Sequence, residues 1–140
     1  MTRIPLLRPL GRADLSRLAT LSTGFAAETV VDWTRRLDRA GVIVMGAELD
    51  DTLVGYAAGE VRRSFGSAVA AAWIDAFGVD LAHRGHGVGR SLLTALLASL
   101  RDLGADHVFT LVPLHDRTMA PFFRELGFRE ESLVPLGREL

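Results

Sequence analysis

Three alternating glycines lie between a predicted strand and the most clearly predicted helix of the chain. The turn runs from Arg84 to Arg90 and contains Gly85, Gly87 and Gly89. Without a Cβ atom, glycine lets the backbone turn tightly and leaves successive N–H groups unobstructed. At a helix N-terminus these donors and the helix dipole favour a phosphate or pyrophosphate group. The dinucleotide-binding motif Gly-x-Gly-x-x-Gly would need its third glycine at position 90, where this chain has Arg90. A dinucleotide ligand is therefore not predicted. A tight turn without a ligand is the alternative interpretation.

A carboxylate in an apolar strand is the first candidate for proton transfer. Asp75 lies between Trp73 and Phe77 in an otherwise apolar run, and strand alternation predicts these three side chains on one face. A buried carboxylate either forms an ion pair or is available to accept a proton. Asp75 is therefore a candidate general base, and an ion pair with Arg62 or Arg63 on the neighbouring strand is the alternative.

Two further residues are candidates for catalysis. Glu60 lies on the strand that precedes the Asp75 strand, and His115 follows the fifth predicted strand. Either group can relay a proton to or from a bound substrate. The alternatives are a surface carboxylate for Glu60 and a solvated loop imidazole for His115.

The composition excludes several chemistries. The chain has 140 residues, no Cys and no Lys, so disulfides, thiolate metal sites, thiol nucleophiles, lysine P-loops and Schiff bases are all absent. Its four His include no i, i+4 pair, and no metal site is predicted. Sixteen Arg against seventeen acidic residues give a net charge of -1, which argues against nucleic-acid binding. Arg without Lys is typical of a GC-rich bacterial genome.

The length and the N-terminal residues predict one cytoplasmic domain over residues 1–140. Charged residues in the first fifteen positions interrupt any signal-peptide core. No apolar run approaches the roughly 20 residues that a membrane-spanning helix needs.

Hydrophobic periodicity predicts an α+β fold. Leucines from Leu92 to Leu103 recur at helical spacing, and Gly104 ends that helix. Asp14 and Thr118 are candidate caps of two other helices, the second with Pro121 in its first turn. Strands are predicted near residues 4–10, 42–49, 53–62, 71–79, 107–112 and 128–136, and helices near 14–21, 25–37, 92–103 and 118–127, with a loop at 63–68. The order is β-α-α-β-β-β-α-β-α-β, with helices packed on a mixed sheet.

Two motifs in this element order resemble the GCN5-related N-acetyltransferase (GNAT) superfamily. Arg84, Gly87 and Gly89 match the signature [Arg/Gln]-x-x-Gly-x-[Gly/Ala] between the fourth strand and third helix. Residues 116–128 resemble the motif Asn-x-x-Ala-x-x-[Phe/Leu]-Tyr-x-x-x-Gly-Phe. The element order agrees over residues 4–136. The resemblance implies a mostly antiparallel sheet of six to seven strands with about four helices on both faces.

The resemblance also implies a site for acetyl-coenzyme A. The amides from Gly85 to Arg90 would hold the pyrophosphate, and the backbone from Phe77 to Val79 would pair with pantetheine where the fourth and fifth strands separate. The residues implied at the coenzyme are Phe77, Gly78, Val79, Arg84, Gly85, His86, Gly87, Val88, Gly89, Arg90, Asp116 and Phe123.

Two residues depart from the family pattern. Phe123 stands where many members have a Tyr that protonates or positions the thiolate, and a phenyl ring does neither. Asp116 replaces the usual Asn, and its carboxylate either accepts a hydrogen bond from pantetheine or caps the following turn.

The resemblance implies an N-acetyltransferase. An amine, either small or on a peptide, would attack the thioester directly in a ternary complex. The departure at Phe123 supports the alternative, a non-catalytic acyl-coenzyme A sensor or interaction subunit. Acetylation of aminoacyl-tRNA is less consistent with the absence of basic excess. An apolar end, Leu133 to Leu136, would permit a homodimer.

Overall fold

A five-stranded sheet forms the centre of the protein. The computed structural model describes residues 3–21, 30–62 and 71–140. The strands are β1 (Leu6–Pro9), β2 (Val42–Leu49), β3 (Thr52–Arg62), β4 (Ala71–Val79) and β5 (His107–Thr110). They lie in sequence order across the sheet, antiparallel from β1 to β4, with β5 parallel to β4.

Four α-helices pack against this sheet. They are α1 (Leu15–Thr20), α2 (Val30–Asp38), α3 (Val88–Asp102) and α4 (Met119–Glu125), with short 3-10 turns at Arg12–Asp14 and Leu81–His83. The mixed α+β architecture with helices on both faces is confirmed. No helix within these three described stretches has the length and apolar character needed to cross a membrane.

The prediction of a sixth or seventh strand is wrong for the described residues. Residues 128–140 contain no strand, and none of the loop hydrogen bonds between backbone groups joins residues 129–140 to the sheet. Three consecutive charged residues, 129–131, and then Pro135 interrupt the alternation that a half-buried strand requires. The first five residues of the predicted helix 25–37, and the predicted loop at 63–68, lie outside the described residues.

The leucine-rich face of α3 covers one side of the sheet. Leu92, Leu93, Leu96 and Leu100 are essentially inaccessible and pack with the apolar residues of β2, β3 and β4. The predicted helical spacing is therefore confirmed for these four. Leu103 is more than half exposed, because α3 ends at Asp102 before that side chain can turn inward.

Helices α1 and α2 cover the opposite side of the sheet. Trp33 is 1% exposed and packs edge-on against Tyr56 of β3, with ring centroids 4.8 Å apart. Leu18 of α1 and Val44 of β2 complete this second core. The two sides are called below the α3 face and the α1–α2 face.

Asp14 does not cap α1 with its side chain. Its carboxylate instead accepts hydrogen bonds from the Gly11 N–H at 3.0 Å and from the Arg8 guanidinium at 2.6 Å. Arg8 also contacts Glu48 of β2, so it joins the first helical turn to the edge of the sheet. The hydrogen bonds from Arg8 lower the pKa of Asp14 and outweigh the opposing effect of burial.

An extra residue in β4 changes which side chains share a face. Ala58 pairs with Ala76 and Gly59 pairs with Ile74, so Asp75 has no partner in β3. The bulge moves Phe77 to the α3 face, where it joins the apolar core. The prediction that Phe77 shares a face with Asp75 is therefore wrong.

The same region marks the point where β4 and β5 separate. Their parallel pairing runs from Ala71 with His107 to Ile74 with Thr110 and ends there. The Thr110 hydroxyl donates a hydrogen bond to the Ile74 carbonyl at 3.2 Å. Beyond this point the edge of β4 through Val79 is not paired with β5, which leaves a fork in the sheet.

The α3 core predicts a large effect for a single truncation. Leu96→Ala removes a fully buried side chain, and we expect it to lower the free energy of unfolding by about 2–5 kcal/mol. Denaturant unfolding followed by circular dichroism measures this difference. Arg101→Ala, on the exposed side of the same helix, is the control and should change stability by less than about 0.5 kcal/mol. Equal losses in both variants would contradict this account of the core.

Candidate active site

The glycine-rich turn presents backbone donors at the start of α3. Gly85 and Gly87 both have left-handed backbone angles, with φ of 79° and 82°, and Gly87 is the N-cap of the helix. The first intrahelical hydrogen bond at this end runs from the Ser91 N–H to the Gly87 carbonyl. The amides of residues 88–90 therefore have no partner within the helix and suit an anion.

The side chains of the turn leave this donor group open. Arg84, His86 and Arg90 are exposed, whereas Val88 is buried. The Arg84 Nε–H donates to the Val79 carbonyl at 3.3 Å and ties the turn to the end of β4. Arg90 lies 4.0 Å from Glu125 of α4.

Gly89 allows an aromatic pair to pack against the helix start. A Cβ atom at Gly89 would lie 2.9 Å from the Phe77 ring and 3.3 Å from the Phe122 ring. Phe77 and Phe122 stack with centroids 5.2 Å apart, and Phe123 meets Phe77 edge-on. The aromatic wall (Phe77, Phe122 and Phe123) thus lies between the turn and the fork.

Phe123 lies in the apolar core. Its ring is 2% exposed and contacts Phe128 and both other rings of the aromatic wall. Direct contact of this ring with a coenzyme would require the wall to move, so its implied place at the coenzyme remains a prediction. Gly78 and Val79 are also buried, and their backbone forms the unpaired edge of the fork.

Asp116 caps the turn before α4. Its Oδ1 accepts hydrogen bonds from the Met119 and Thr118 N–H groups at 2.9 and 2.8 Å, and from the Thr118 hydroxyl at 2.9 Å. These bonds, that from the Met119 amide above all, lower the pKa of Asp116. The capping side chain is thus Asp116 rather than Thr118, whose own side chain makes no cap bond. Pro121 falls in the first turn of α4, as predicted.

A charge cluster lies on the α1–α2 face beside the fork. The Arg62 Nη2 donates to both Asp75 oxygens at 2.9 Å, and its Nε donates to Glu60 at 2.6 Å. The Arg39 Nη2 donates to both Glu60 oxygens, at 2.9 and 3.0 Å. We call Arg39, Glu60, Arg62 and Asp75 the charge cluster.

The two carboxylates of this cluster differ in accessibility. The Glu60 side chain is 5% exposed, whereas the Asp75 side chain is 24% exposed at the bulge. The structure thus forms the Arg62 ion pair that the sequence offered as the alternative for Asp75. His115 lies exposed in the loop between β5 and α4. The catalytic roles of Asp75, Glu60 and His115 remain predictions.

The sequence does not predict that Arg39 belongs to this cluster. Its partner Glu60 is 21 residues away, and no local spacing joins a residue after α2 to the end of β3. The only available signal was the lone Glu in the apolar β3, which required a cation from some element. In residues 3–21, 30–62 and 71–140, no group of three or more His, Asp or Glu could hold a metal ion.

The chain matches the model of the acetyltransferase (GNAT) family over residues 13–128. An uncharacterized protein of Mycobacterium leprae is 31% identical over 127 residues, which cover 88% of this chain and 34% of that protein. The chain thus spans about a third of the length of this curated relative.

Solved structures share the fold at lower identity. AAC(6')-Iy, in complex with the bisubstrate analog CoA-S-monomethyl-acetylneamine, has a TM-score of 0.84 and is 16% identical, with 99% of each chain covered. An aminoglycoside acetyltransferase from an uncultured soil metagenomic sample, in complex with sisomicin, has a TM-score of 0.78 and is 23% identical. That match covers 97% of this chain and 96% of the other. At these identities the likeness shows the fold alone.

The Asp116 cap predicts a pH-dependent contribution to stability. Because the pKa of Asp116 is lower in the folded state, its carboxylate stabilises the fold at pH values above the ordinary aspartate range. This contribution disappears as pH falls through the folded pKa. We expect Asp116→Ala to lower Tm at pH 7, and the gap from wild type to be smaller at a pH well below the ordinary aspartate pKa of about 3.9. Thermal unfolding at both pH values measures the gap.

Asp106→Ala is the control for this measurement, because Asp106 is an exposed aspartate before β5 rather than a cap. It should leave Tm close to that of the wild type at both pH values. A gap for Asp116→Ala that persists undiminished at low pH would show that the carboxylate charge is not involved.

Proposed function

Because the chain belongs to the acetyltransferase (GNAT) family, we propose that it transfers an acetyl group from acetyl-coenzyme A to a primary amine. The observation that carries this proposal is the fork between β4 and β5, which opens beside the glycine-rich turn of α3. A pyrophosphate at the turn and a thioester at the fork are two parts of one extended ligand. The complex of AAC(6')-Iy with a CoA bisubstrate analog supports a coenzyme in this fold.

The coenzyme would be held mainly by backbone groups. The amides from Gly85 to Arg90 suit the pyrophosphate, and the exposed Arg90 guanidinium adds positive charge. The unpaired edge of β4 from Phe77 to Val79 would hydrogen-bond pantetheine as a short added strand. Phe77, at one end of this edge, stacks on Phe122 of the aromatic wall.

Acetyl transfer requires that the amine lose a proton and that the thiolate gain one. The nitrogen–carbon bond forms as the carbon–sulfur bond breaks, which yields an N-acetyl amine and coenzyme A. Asp75 is the proposed base because it is the more exposed carboxylate of the charge cluster and lies at the bulge beside the fork. His115, on the loop after β5, is a second candidate.

The chain offers no acid at position 123. A buried Phe123 has no proton to donate, so water or a substrate group would protonate the thiolate. This feature favours a second candidate function, an acyl-coenzyme A sensor that binds without turnover. Acetylation of any amine by the purified protein would exclude the sensor as the sole function.

Coenzyme binding has a well-matched test at the two ends of α3. Gly87 and Gly104 both have positive φ, of 82° and 98°, and a Cβ on either would meet no atom within 4 Å. Gly87→Glu and Gly104→Glu therefore carry similar strain and the same added charge. Calorimetric titration with acetyl-coenzyme A should show a Kd at least about tenfold higher for Gly87→Glu and unchanged for Gly104→Glu.

Two outcomes would contradict the coenzyme site. The first is a wild-type protein that does not bind acetyl-coenzyme A. The second is an equal loss of affinity in both variants, which would trace the effect to strain rather than to location.

The proposed base predicts a selective loss of turnover. Asp75→Asn should lower kcat/KM for an accepted amine by about 10²–10⁴-fold, because proton transfer contributes about that factor. The Kd for acetyl-coenzyme A should not change. Asp106→Asn is the matched control, an exposed aspartate beyond the C-terminal end of α3, and should retain full activity. Full activity in Asp75→Asn would contradict the assignment of Asp75 as the base. His115 would then be the remaining candidate, and His115→Gln would test it.

A further inference from the structure

Buried Glu60 holds two guanidinium groups side by side on the α1–α2 face. Its Oε1 accepts from Arg39 at 2.9 Å and from Arg62 at 2.6 Å, so both cations lie within hydrogen-bond distance of one oxygen. Two like charges this close repel each other, and the shared carboxylate offsets that repulsion. Glu60 at 4% exposure thus positions an arginine pair.

Among the described residues, the arginine pair (Arg39 and Arg62) retains unused donors. Arg39 uses only Nη2 and Arg62 uses Nε and Nη2, so within the described residues no partner engages Nη1 of Arg62 or Nε and Nη1 of Arg39. The Arg39 side chain is 60% exposed. Each free guanidinium N–H can donate a charge-assisted hydrogen bond to a carboxylate.

Asp75 also retains capacity for a second partner. One Arg62 nitrogen contacts both of its oxygens, whereas an ionised carboxylate can accept about four hydrogen bonds. An ammonium can therefore bind Asp75 while Arg62 stays in place. Burial disfavours the charged form of Arg62, but its hydrogen bond to Glu60 and the charges of both carboxylates raise its pKa overall. Arg62 remains cationic while the acceptor binds.

The charge balance of the cluster distinguishes between classes of amine. Two guanidiniums and two carboxylates sum to zero, so a simple ammonium adds one uncompensated positive charge and a polyamine adds several. An acceptor with one ammonium and one carboxylate keeps the site neutral. Its two groups would meet donors and acceptors that are already in place.

From this arrangement we infer that the acceptor is a small amino acid, an amine with a carboxylate a few bonds from the reacting nitrogen. The ammonium binds Asp75 beside the fork, and the carboxylate binds the free donors of Arg62 and Arg39. Glu60 is a positioning residue for the arginine pair. The inference rests on the proposed acetyl transfer and adds the substrate class.

The test compares each amino acid with two analogues that lack its carboxylate. Initial rates with acetyl-coenzyme A are measured for a panel of α-amino acids, their primary amides and the corresponding amines without the carboxyl group. L-phenylalanine, L-phenylalaninamide and 2-phenylethylamine form one such set. For at least one set, we expect kcat/KM for the acid to exceed both other values by about tenfold or more, the effect of one charge-assisted contact.

Substitutions test whether the arginine pair causes the preference for the acid. Arg39→Gln should raise KM for the acid about tenfold, change kcat for the acid by less than about twofold, and not raise KM for the amide. Arg39→Lys should recover part of the affinity because it restores the charge without the planar donors. Arg101→Gln, an exposed arginine of α3, is the control and should match the wild type. Glu60→Gln should raise KM for the acid, with unchanged affinity for acetyl-coenzyme A.

The possible failures are distinguishable. If amides or simple amines are acetylated as well as the acids or better, the amino-acid inference is wrong and acetyl transfer stands. If Arg39→Gln affects acid and amide equally, the arginine pair does not bind the carboxylate, and the inference is again wrong. If wild-type protein binds acetyl-coenzyme A but acetylates no amine, both the inference and the proposed transfer fail.

Discussion

The extra residue in β4 determines what both faces of the sheet can do. Asp75 has no partner in β3, so the alternation of side chains shifts by one after it. Phe77 consequently packs under the start of α3, while Asp75 remains on the α1–α2 face beside Arg62. The pairing of β4 with β5 ends at Ile74, immediately before this residue. One unpaired residue therefore coincides with the fork, the start of the aromatic wall and the accessible carboxylate.

The two faces of the sheet present different kinds of chemical groups beside the fork. On the α3 face the turn offers backbone amides, and Gly89 keeps its side-chain space free for Phe77 and Phe122. On the α1–α2 face the groups are charged side chains, held by Glu60. Backbone donors suit the invariant part of a coenzyme, whereas side chains suit an acceptor that differs between proteins. The division follows from which face each side chain occupies after the bulge.

The parts of the structure that depend on local spacing were predictable from the sequence. The leucines of α3 repeat at helical intervals, and the alternating glycines lie next to that helix, so both appear within about twenty residues of chain. The bulge was not predictable, because Ala76 is small enough to lie on either face and leaves no break in the apolar run. The Arg39–Glu60 contact joins distant elements through a single lone carboxylate. The predicted strand at residues 128–136 contains apolar residues, but they do not alternate regularly enough for the segment to pair with the sheet.

Charges that share one buried partner cannot change independently. Removing Arg39 leaves Glu60 with Arg62 alone, and removing Glu60 leaves two adjacent guanidiniums with only Asp75 to balance them. Substitutions within the cluster should therefore be non-additive, since each alters the partners of the others. The glycine turn has no comparable coupling to these charges, because its donors belong to the backbone at the other face. The proposed acceptor preference thus depends on four residues together, whereas the proposed coenzyme site depends on the turn and the unpaired edge of β4.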